Sequence, residues 1–408
     1  MKKNLVLAFL VILIAVASCS FTNKSFENDD KDKLLLDLIT YVLERGHYEP
    51  KDIDDDFSVS VFEDFINVID PTKRYFLEED IMEFEQYKFQ IDDQIKNTEI
   101  GFFSLVYDRL MLRMDEATMI YKEVLEEPFD YSKEETIDID YNEQYYATTK
   151  DELKERWRKQ LKYATIGTYD GKIKNDGQKK EDDASYELKS SADIELEARE
   201  VTLNTLNEFF DFVGDMERKD WFVQYINTIV DEFDPHTYYF APRDRDRFNI
   251  GMSGKFEGIG ARLQKKPEGA KIVEIISGGP VWRDQKLEVG DEIIKVAQDG
   301  GSAVDIVGMR LDDAIQLIKG PKGTVVDLTV RRVDGTVEEI SITRDVVVLE
   351  ESYAKSATVL KEDKKYGLIN LPKFYVDFED YTERNAATDV AKEVDRLKEE
   401  GMEGLVLD

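Results

Sequence analysis

The residues best suited to chemistry lie in the run Glu257-Gly258-Ile259-Gly260-Ala261-Arg262-Leu263. Two glycines around one isoleucine let successive backbone N–H groups converge on an anion, as in a nest. The strand that follows, Ala261 to Gln264, has an edge that can accept an extended peptide. A plain hairpin or bulge is the competing reading of the same glycines. Conventional catalytic sets are missing. His47 and His236 are the only two histidines, they lie far apart in sequence, and no Gly-x-Ser-x-Gly elbow accompanies them. A local capping or packing role is the reading for His236. Cys19 is the single cysteine, so no disulfide, thiol nucleophile or Cys-based metal site is available. No Gly-x-x-x-x-Gly-Lys loop occurs, and neither a metal nor a nucleotide cofactor is implied.

The elements that must position the loop follow from periodicity. From about Gly251 the pattern is one of short β-branched runs between Gly, Pro and Asp turns: Lys255 to Gln264, Lys271 to Ile276, Glu292 to Val296, Val325 to Arg331 and Val337 to Arg344. A helix, Arg310 to Lys319, lies between the third and fourth and closes on Gly320-Pro321. A last segment reads strand Tyr366 to Leu371, helix Asp377 to Glu400, strand Gly404 to Asp408, a βαβ unit with parallel strands. The region before the β-rich module is mostly helical, with stretches at Val59–Val68, Glu78–Ile95, Phe102–Leu125, Lys150–Ala164 and Ile194–Phe212. Asp170 to Ala192, rich in Gly, Lys, Asp and Ser, reads as an exposed, mobile loop. The echo between Ile69-Asp70-Pro71-Thr72 and Phe233-Asp234-Pro235-His236 reads as two similar helix exits at Asp-Pro.

The N-terminus carries Lys2 and Lys3, then the apolar run Leu5 to Ala17, then Val16-Ala17-Ser18-Cys19. That is a secretory signal, too short to span a bilayer, which takes roughly 20 apolar residues. The small residues ending in Cys19 resemble a bacterial lipobox, which predicts lipidation of Cys19 and a polar tether to Asp32. The competing reading is a chance cysteine in an ordinary signal. With 408 residues and a net charge of −33, the chain has room for several domains and repels phosphate backbones, so nucleic acid is excluded as a partner. A covalent anchor is the expected membrane tether, and Ser20 after the cysteine makes a periplasm-facing envelope location the default.

The β-rich module resembles a PDZ domain through three ordered segments: the Gly258 loop, Ser277-Gly278-Gly279-Pro280-Val281, and Leu287-Glu288-Val289-Gly290-Asp291-Glu292-Ile293-Ile294. The resemblance implies that Gly258, Ile259, Gly260 and Ala261 receive a free C-terminal carboxylate. The peptide would pair with the strand through Leu263, and its last, apolar side chain would enter a slot walled by Ala314 and Leu317. Leu311, Ile315 and Ile318 form a competing stripe on the same helix. The flanks resemble the tail-specific, or carboxyl-terminal processing, serine proteases, long Gram-negative branch. They are Gly46-His47-Tyr48, Asp70-Pro71-Thr72-Lys73-Arg74-Tyr75-Phe76-Leu77, Asp234-Pro235-His236-Thr237, Leu317-Ile318-Lys319-Gly320-Pro321 and Leu371-Pro372-Lys373-Phe374-Tyr375.

The implied architecture is multidomain α+β. It comprises a signal at 1–18, a tether at 19–32, a helical domain at 33–235 with a mobile loop at 170–192, a PDZ domain at 245–345, and at 346–408 the first βαβ unit of an incomplete α/β protease domain. The implied activity is serine endopeptidase action on polypeptides with apolar free C-termini, using a serine nucleophile and a neutral lysine base. In the family pattern the strand matching Gly404–Asp408 leads into a Leu-Arg-x-Asn-x-Gly-Gly loop, and the serine and lysine come later. No residue here matches them, and Ser253 and Lys373 are not substitutes. The 408 residues alone are expected to bind peptide without turnover, as a piece of the protease; a lipid-anchored, non-catalytic PDZ protein is the alternative. An adaptor lipoprotein that recruits targets is compatible with this reading, though no residue identifies one.

Overall fold

A computed structural model describes residues 28–408, so the signal and Cys19 lie outside the described residues. The chain divides into two compact units after Tyr239.

The first unit contains, among the described residues, eight α-helices: α1 (Asn28–Gly46), α2 (Asp55–Ile69), α3 (Glu78–Phe84), α4 (Ile91–Lys96), α5 (Gly101–Glu126), α6 (Lys150–Asp182), α7 (Ser191–Gly214) and α8 (Arg218–Asp231). Local chemistry explains their boundaries. Asp54 caps α2 by accepting the Phe57 N–H, and Phe57, Val61, Phe65 and Ile69 then recur on its buried face. Phe65, Phe102, Phe103, Phe222 and Tyr225 meet ring to ring at the centre. Asp70, fully buried, accepts the N–H groups of Arg74, Tyr75 and Phe76 at 2.8–3.0 Å and so closes the exit of α2. Asp234 makes a lighter version of this turn, accepting from His236 N–H at 2.9 Å. The His236 ring is solvent-exposed and touches the same carboxylate, a local role.

Four helix boundaries depart from the sequence expectation. The span expected to be a mobile loop at 170–192 is helical to Asp182, and α7 begins at Ser191. No apolar stripe marks it. Instead Lys174 pairs with Asp170 at 2.6 Å, Lys172 and Lys189 pair with Glu197 on α7, and Asp176 accepts from Tyr186 Oη and Lys189 N–H. Gly171 and Gly177 have open space where a Cβ would stand. Gly171→Ala is therefore expected to stabilise the unit by about 0.5–1 kcal/mol through helix propensity, read as a higher Tm; a lower Tm would mean that the segment is not helical in solution. The expected helix Glu78–Ile95 is broken at a 3-10 turn, Glu85–Tyr87, where Lys88 and Gln90 N–H bond carbonyls three residues back. The expected tether is helical from Asn28, with Asp29 and Asp30 in the favourable first turn and Asp32 paired to Arg218. Helix α8 ends just before the exit read at Asp234-Pro235; its span, not among the expected stretches, follows the spacing of Trp221, Phe222, Tyr225, Ile226 and Ile229.

The second unit opens with α9 (Pro242–Ser253), also unexpected, started by proline at its first turn. Next come β1 (Lys255–Gly258), β2 (Ala261–Lys266), β3 (Gly269–Ile275), α10 (Pro280–Asp284), β4 (Glu292–Gln298), β5 (Val304–Asp305), α11 (Leu311–Ile318), β6 (Val325–Arg331), β7 (Val337–Thr343) and β8 (Asp345–Val348). The main sheet runs β2-β3-β4-β6-β7 with β5 beside β4, and β1 pairs separately with β8. The single strand expected over Lys255–Gln264 is thus two strands in two sheets. Gly260, at φ +81°, turns the chain between them, and an added Cβ there would sit 3.1 Å from the Gly279 Cα.

The remainder is β9 (Lys355–Lys361), β10 (Lys364–Asn370), α12 (Ala386–Glu399) and β11 (Gly404–Leu407). β10 and β11 are parallel, and β9, which was not expected, is antiparallel to β10. α12 starts nine residues later than Asp377. Asp377 and Asp380 bind the N–H groups of Glu379 and Thr382 in tight local turns, and Asn385 supplies the cap by accepting from Thr388 N–H. β11 is an edge strand, with Leu405, Val406 and Leu407 all exposed.

Candidate peptide-binding site

Two of the three glycine-containing segments of the sequence, the Gly258 loop and Ser277–Val281, meet in the second unit. Val281 N–H donates to the Ile259 carbonyl at 3.0 Å and Ile276 N–H to the Gly260 carbonyl at 2.9 Å. These two bonds tie down the acceptor side of the loop. Among the described residues, no hydrogen bond uses the N–H of Ile259 or Gly260. Two adjacent donors are therefore left for an anion, as a nest requires. The Ile259 side chain is 3% exposed and roots the loop in the core, with Val281 and Leu287 in the same cluster. The third segment is structural: Asp291, buried, accepts Glu288 N–H at 2.8 Å and pairs with Arg332 at 2.6 Å, holding the turn through Gly290.

β2 leaves the loop at the edge of its sheet, with one side unpaired. Ala261 and Leu263 face the core and are partly covered, while Arg262 and Gln264 point to solvent. α11 packs beside β2, so a groove with a backbone edge on one side and a helix on the other is in place. The expected wall needs correction. Ala314 is 2% exposed and belongs to the core, as does Ile318 one turn on. Residues four apart stack on one helix face, so the open apolar surface falls to the margins of that face, at Leu311, Ile315 and Leu317, all partly exposed. Leu317 of the expected wall and Leu311 of the competing stripe are partly exposed and pack against the core, while Ile315 lies about 160° round the helix from Leu317.

Two cationic residues at the end of α11, one beside the loop and one holding the helix end, were missed in the sequence as site residues. Lys319 follows α11, its Nζ 5.6 Å from the centre of the Phe256 ring, and its stem lies 3.7 Å from where a Gly258 Cβ would stand. Burial pushes its pKa down, with Asp246 acting against that. It sits in Lys319-Gly320-Pro321, which the sequence marks as a helix stop and a family flank without a role for the lysine. Arg344 is 2% exposed. Its guanidinium donates to the Ile318 carbonyl at 2.8 Å, the Leu317 carbonyl at 3.1 Å, Thr324 Oγ1 at 3.0 Å, the Val325 carbonyl at 3.3 Å and Gln298 Oε1 at 2.7 Å. It caps α11 with positive charge at the negative helix end, although burial alone lowers its pKa. Among the described residues no group of His, Cys, Asp and Glu is placed to hold a metal ion.

Comparison with known proteins identifies two domains. Residues 39–243 match the tail-specific protease N-terminal domain and residues 248–331 match the PDZ domain. The tail-specific protease of Haemophilus influenzae is 29% identical over 385 residues, 93% of this chain and 51% of that protein. A carboxy-terminal processing protease of Bacillus subtilis is 29% identical over 175 residues, 43% of this chain and 34% of that protein. The crystal structure of the PDZ domain of a carboxy-terminal protease from Vibrio cholerae, in complex with a peptide, is 44% identical and covers 23% of this chain and 97% of that chain, with a TM-score of 0.22. The chain thus spans about half the length of the first of these relatives and about a third of the second. The helical unit and the anion-loop module together place the chain in the tail-specific, carboxyl-terminal processing protease family.

Proposed function

We propose that this chain is the tail-capturing part of a serine endopeptidase that acts on polypeptides with apolar, free C-termini. The observation that carries the reading is the pair of unclaimed N–H groups at Ile259 and Gly260, next to the free edge of β2. A terminal carboxylate fits the loop, the backbone before it extends the sheet, and the last side chain lies against an apolar face of α11. Hydrolysis is assigned to a serine and a neutral lysine outside these 408 residues, reached after the parallel strands β10 and β11. Lipid attachment at Cys19 and a periplasm-facing location in the envelope belong to the same proposal. They are supported by the basic start, the short apolar run and the small residues before the cysteine.

The test is fluorescence anisotropy with a labelled, apolar-tailed decapeptide. Amidating its C-terminus is expected to weaken binding about ten- to a hundredfold, since hydrogen bonds to a charged group are worth about 1.5–3 kcal/mol. Lys319→Met is expected to weaken the free acid about three- to tenfold and to leave the amide unchanged. Equal binding of acid and amide would remove the carboxylate loop from the mechanism. Cleavage of the peptide by the chain alone would overturn the placement of the catalytic pair.

A further inference from the structure

One face of α1 is apolar and open. Leu34, Leu38, Tyr41 and Val42 are each 53–58% exposed, and their spacing of four, three and one places them along a single stripe. The opposite face is engaged: Leu36 and Leu43 are buried in the helical core and Asp32 pairs with Arg218. Lys31 and Arg45 stand on the same open stripe at its two ends, about 21 Å apart along the helix, and both are exposed. The Arg45 guanidinium lies 5.1 Å from the Tyr41 ring centre. An apolar stripe with an aromatic residue and a cation at each end has the composition of a helix that lies in a membrane interface.

The position of α1 in the chain says what could cover this face. Eight residues, Ser20 to Glu27, separate Cys19 from the start of the helix. Even fully extended, that connection spans only about 30 Å. A lipid on Cys19 would therefore keep α1 within a few helix diameters of the bilayer, at high effective concentration. We propose that the Leu34-Leu38-Tyr41-Val42 face of α1 rests in the membrane surface, as a second contact beside the N-terminal lipid. The proximity argument rests on the lipid-anchor reading; the helix chemistry does not. The lipid favoured is zwitterionic, because exposed Asp37 and Glu44 flank the stripe and the whole chain carries a net charge of −33. Lys31 and Arg45 can extend to headgroup phosphates while their stems follow the apolar stripe.

The experiment is vesicle flotation of the mature chain from residue 19, carrying Cys19→Ser so that no lipid is attached. Binding to phosphatidylethanolamine/phosphatidylcholine vesicles is expected, falling as phosphatidylglycerol replaces the zwitterionic lipid. Leu34→Asp with Leu38→Asp should cut the bound fraction about tenfold or more, with the far-UV spectrum and Tm unchanged because both positions are exposed. No flotation, or equal flotation of the double variant, overturns the proposal. So does concentration-dependent dimerisation that the double variant abolishes without any vesicle binding, which would make the face a contact between copies. The mass of the natural protein extracted from membranes separately decides the lipid on Cys19. An unmodified Cys19 with flotation intact would sink the anchor and leave the helix contact standing.

Discussion

Replacing Arg344 by methionine is expected to destabilise the second unit by about 3 kcal/mol or more, because several buried acceptors lose their donor together. The guanidinium serves five acceptors at once, and three of them are backbone carbonyls at the end of α11 and the start of β6. Methionine matches the length of the stem and supplies no donor. Each carbonyl left buried and unsatisfied adds about 1–3 kcal/mol. Arg344→Lys is expected to recover only part, because one ammonium cannot span acceptors arranged for a planar fork. Urea denaturation measures both. Since α11 is one wall of the groove and the anion loop is not bonded to Arg344, the lysine variant should lose discrimination between tails ending in leucine and alanine. It should keep its preference for acid over amide. A methionine variant as stable as the parent would show that the helix end is satisfied in some other way.

Asp80→Leu should be of similar size in the helical unit. Asp80 is fully buried and accepts from Arg113 Nε at 2.7 Å, Arg113 Nη2 at 2.9 Å, Leu77 N–H at 2.8 Å, and Arg109. Arg113 is itself 4% exposed, so removing the carboxylate leaves a buried cation with reduced compensation, at about 3–5 kcal/mol. Combining it with Arg113→Met should cost less than Asp80→Leu alone, because no unpaired charge remains; a double variant less stable than both singles would refute that account. The same site sets an acid dependence. Burial pushes the Asp80 carboxyl up, but the guanidiniums of Arg113 and Arg109 and the Leu77 N–H outweigh it and hold the pKa below the usual carboxylate range. With a folded pKa below the unfolded value of about 3.9, the stabilisation is complete above that value and is lost as pH falls through the folded one. Parent stability should therefore drop below about pH 4, and the double variant should lose less over that interval.

The functional loop was legible because its chemistry is local. Gly258-Ile259-Gly260 needs only its own backbone to form a nest, and the two supporting segments are short runs with turn residues at fixed offsets. The groove wall was half legible: the apolar positions of α11 are plain in the sequence, but which edge of the stripe stays open depends on where the sheet lies beneath it. Position alone could not separate Ala314, which is fully buried in the core, from Leu317, which packs against it and stays partly exposed. Residues 170–182 were illegible for a different reason. Their helix is held by ion pairs along itself and to Glu197 on α7, so apolar periodicity carries no signal. β9 was missed because Lys355-Ser356-Ala357-Thr358-Val359-Leu360-Lys361 shows almost no burial pattern, and only pairing with β10 defines it. Arg344 read as the last residue of a strand, since nothing in a sequence marks an arginine whose partners are all carbonyls, hydroxyls and amides.

The pairing of β1 with β8 has an evolutionary consequence. Lys255 lies opposite Val348 and Gly258 opposite Asp345, so the chain enters and leaves the groove-bearing module through neighbouring strands about 5 Å apart. A segment whose ends meet can be excised, duplicated or exchanged by recombination without moving the framework on either side. Tail specificity can thus be inherited as a cassette, changed by swapping residues 259–344 as one block, while the helical unit and the parallel strands keep their own histories.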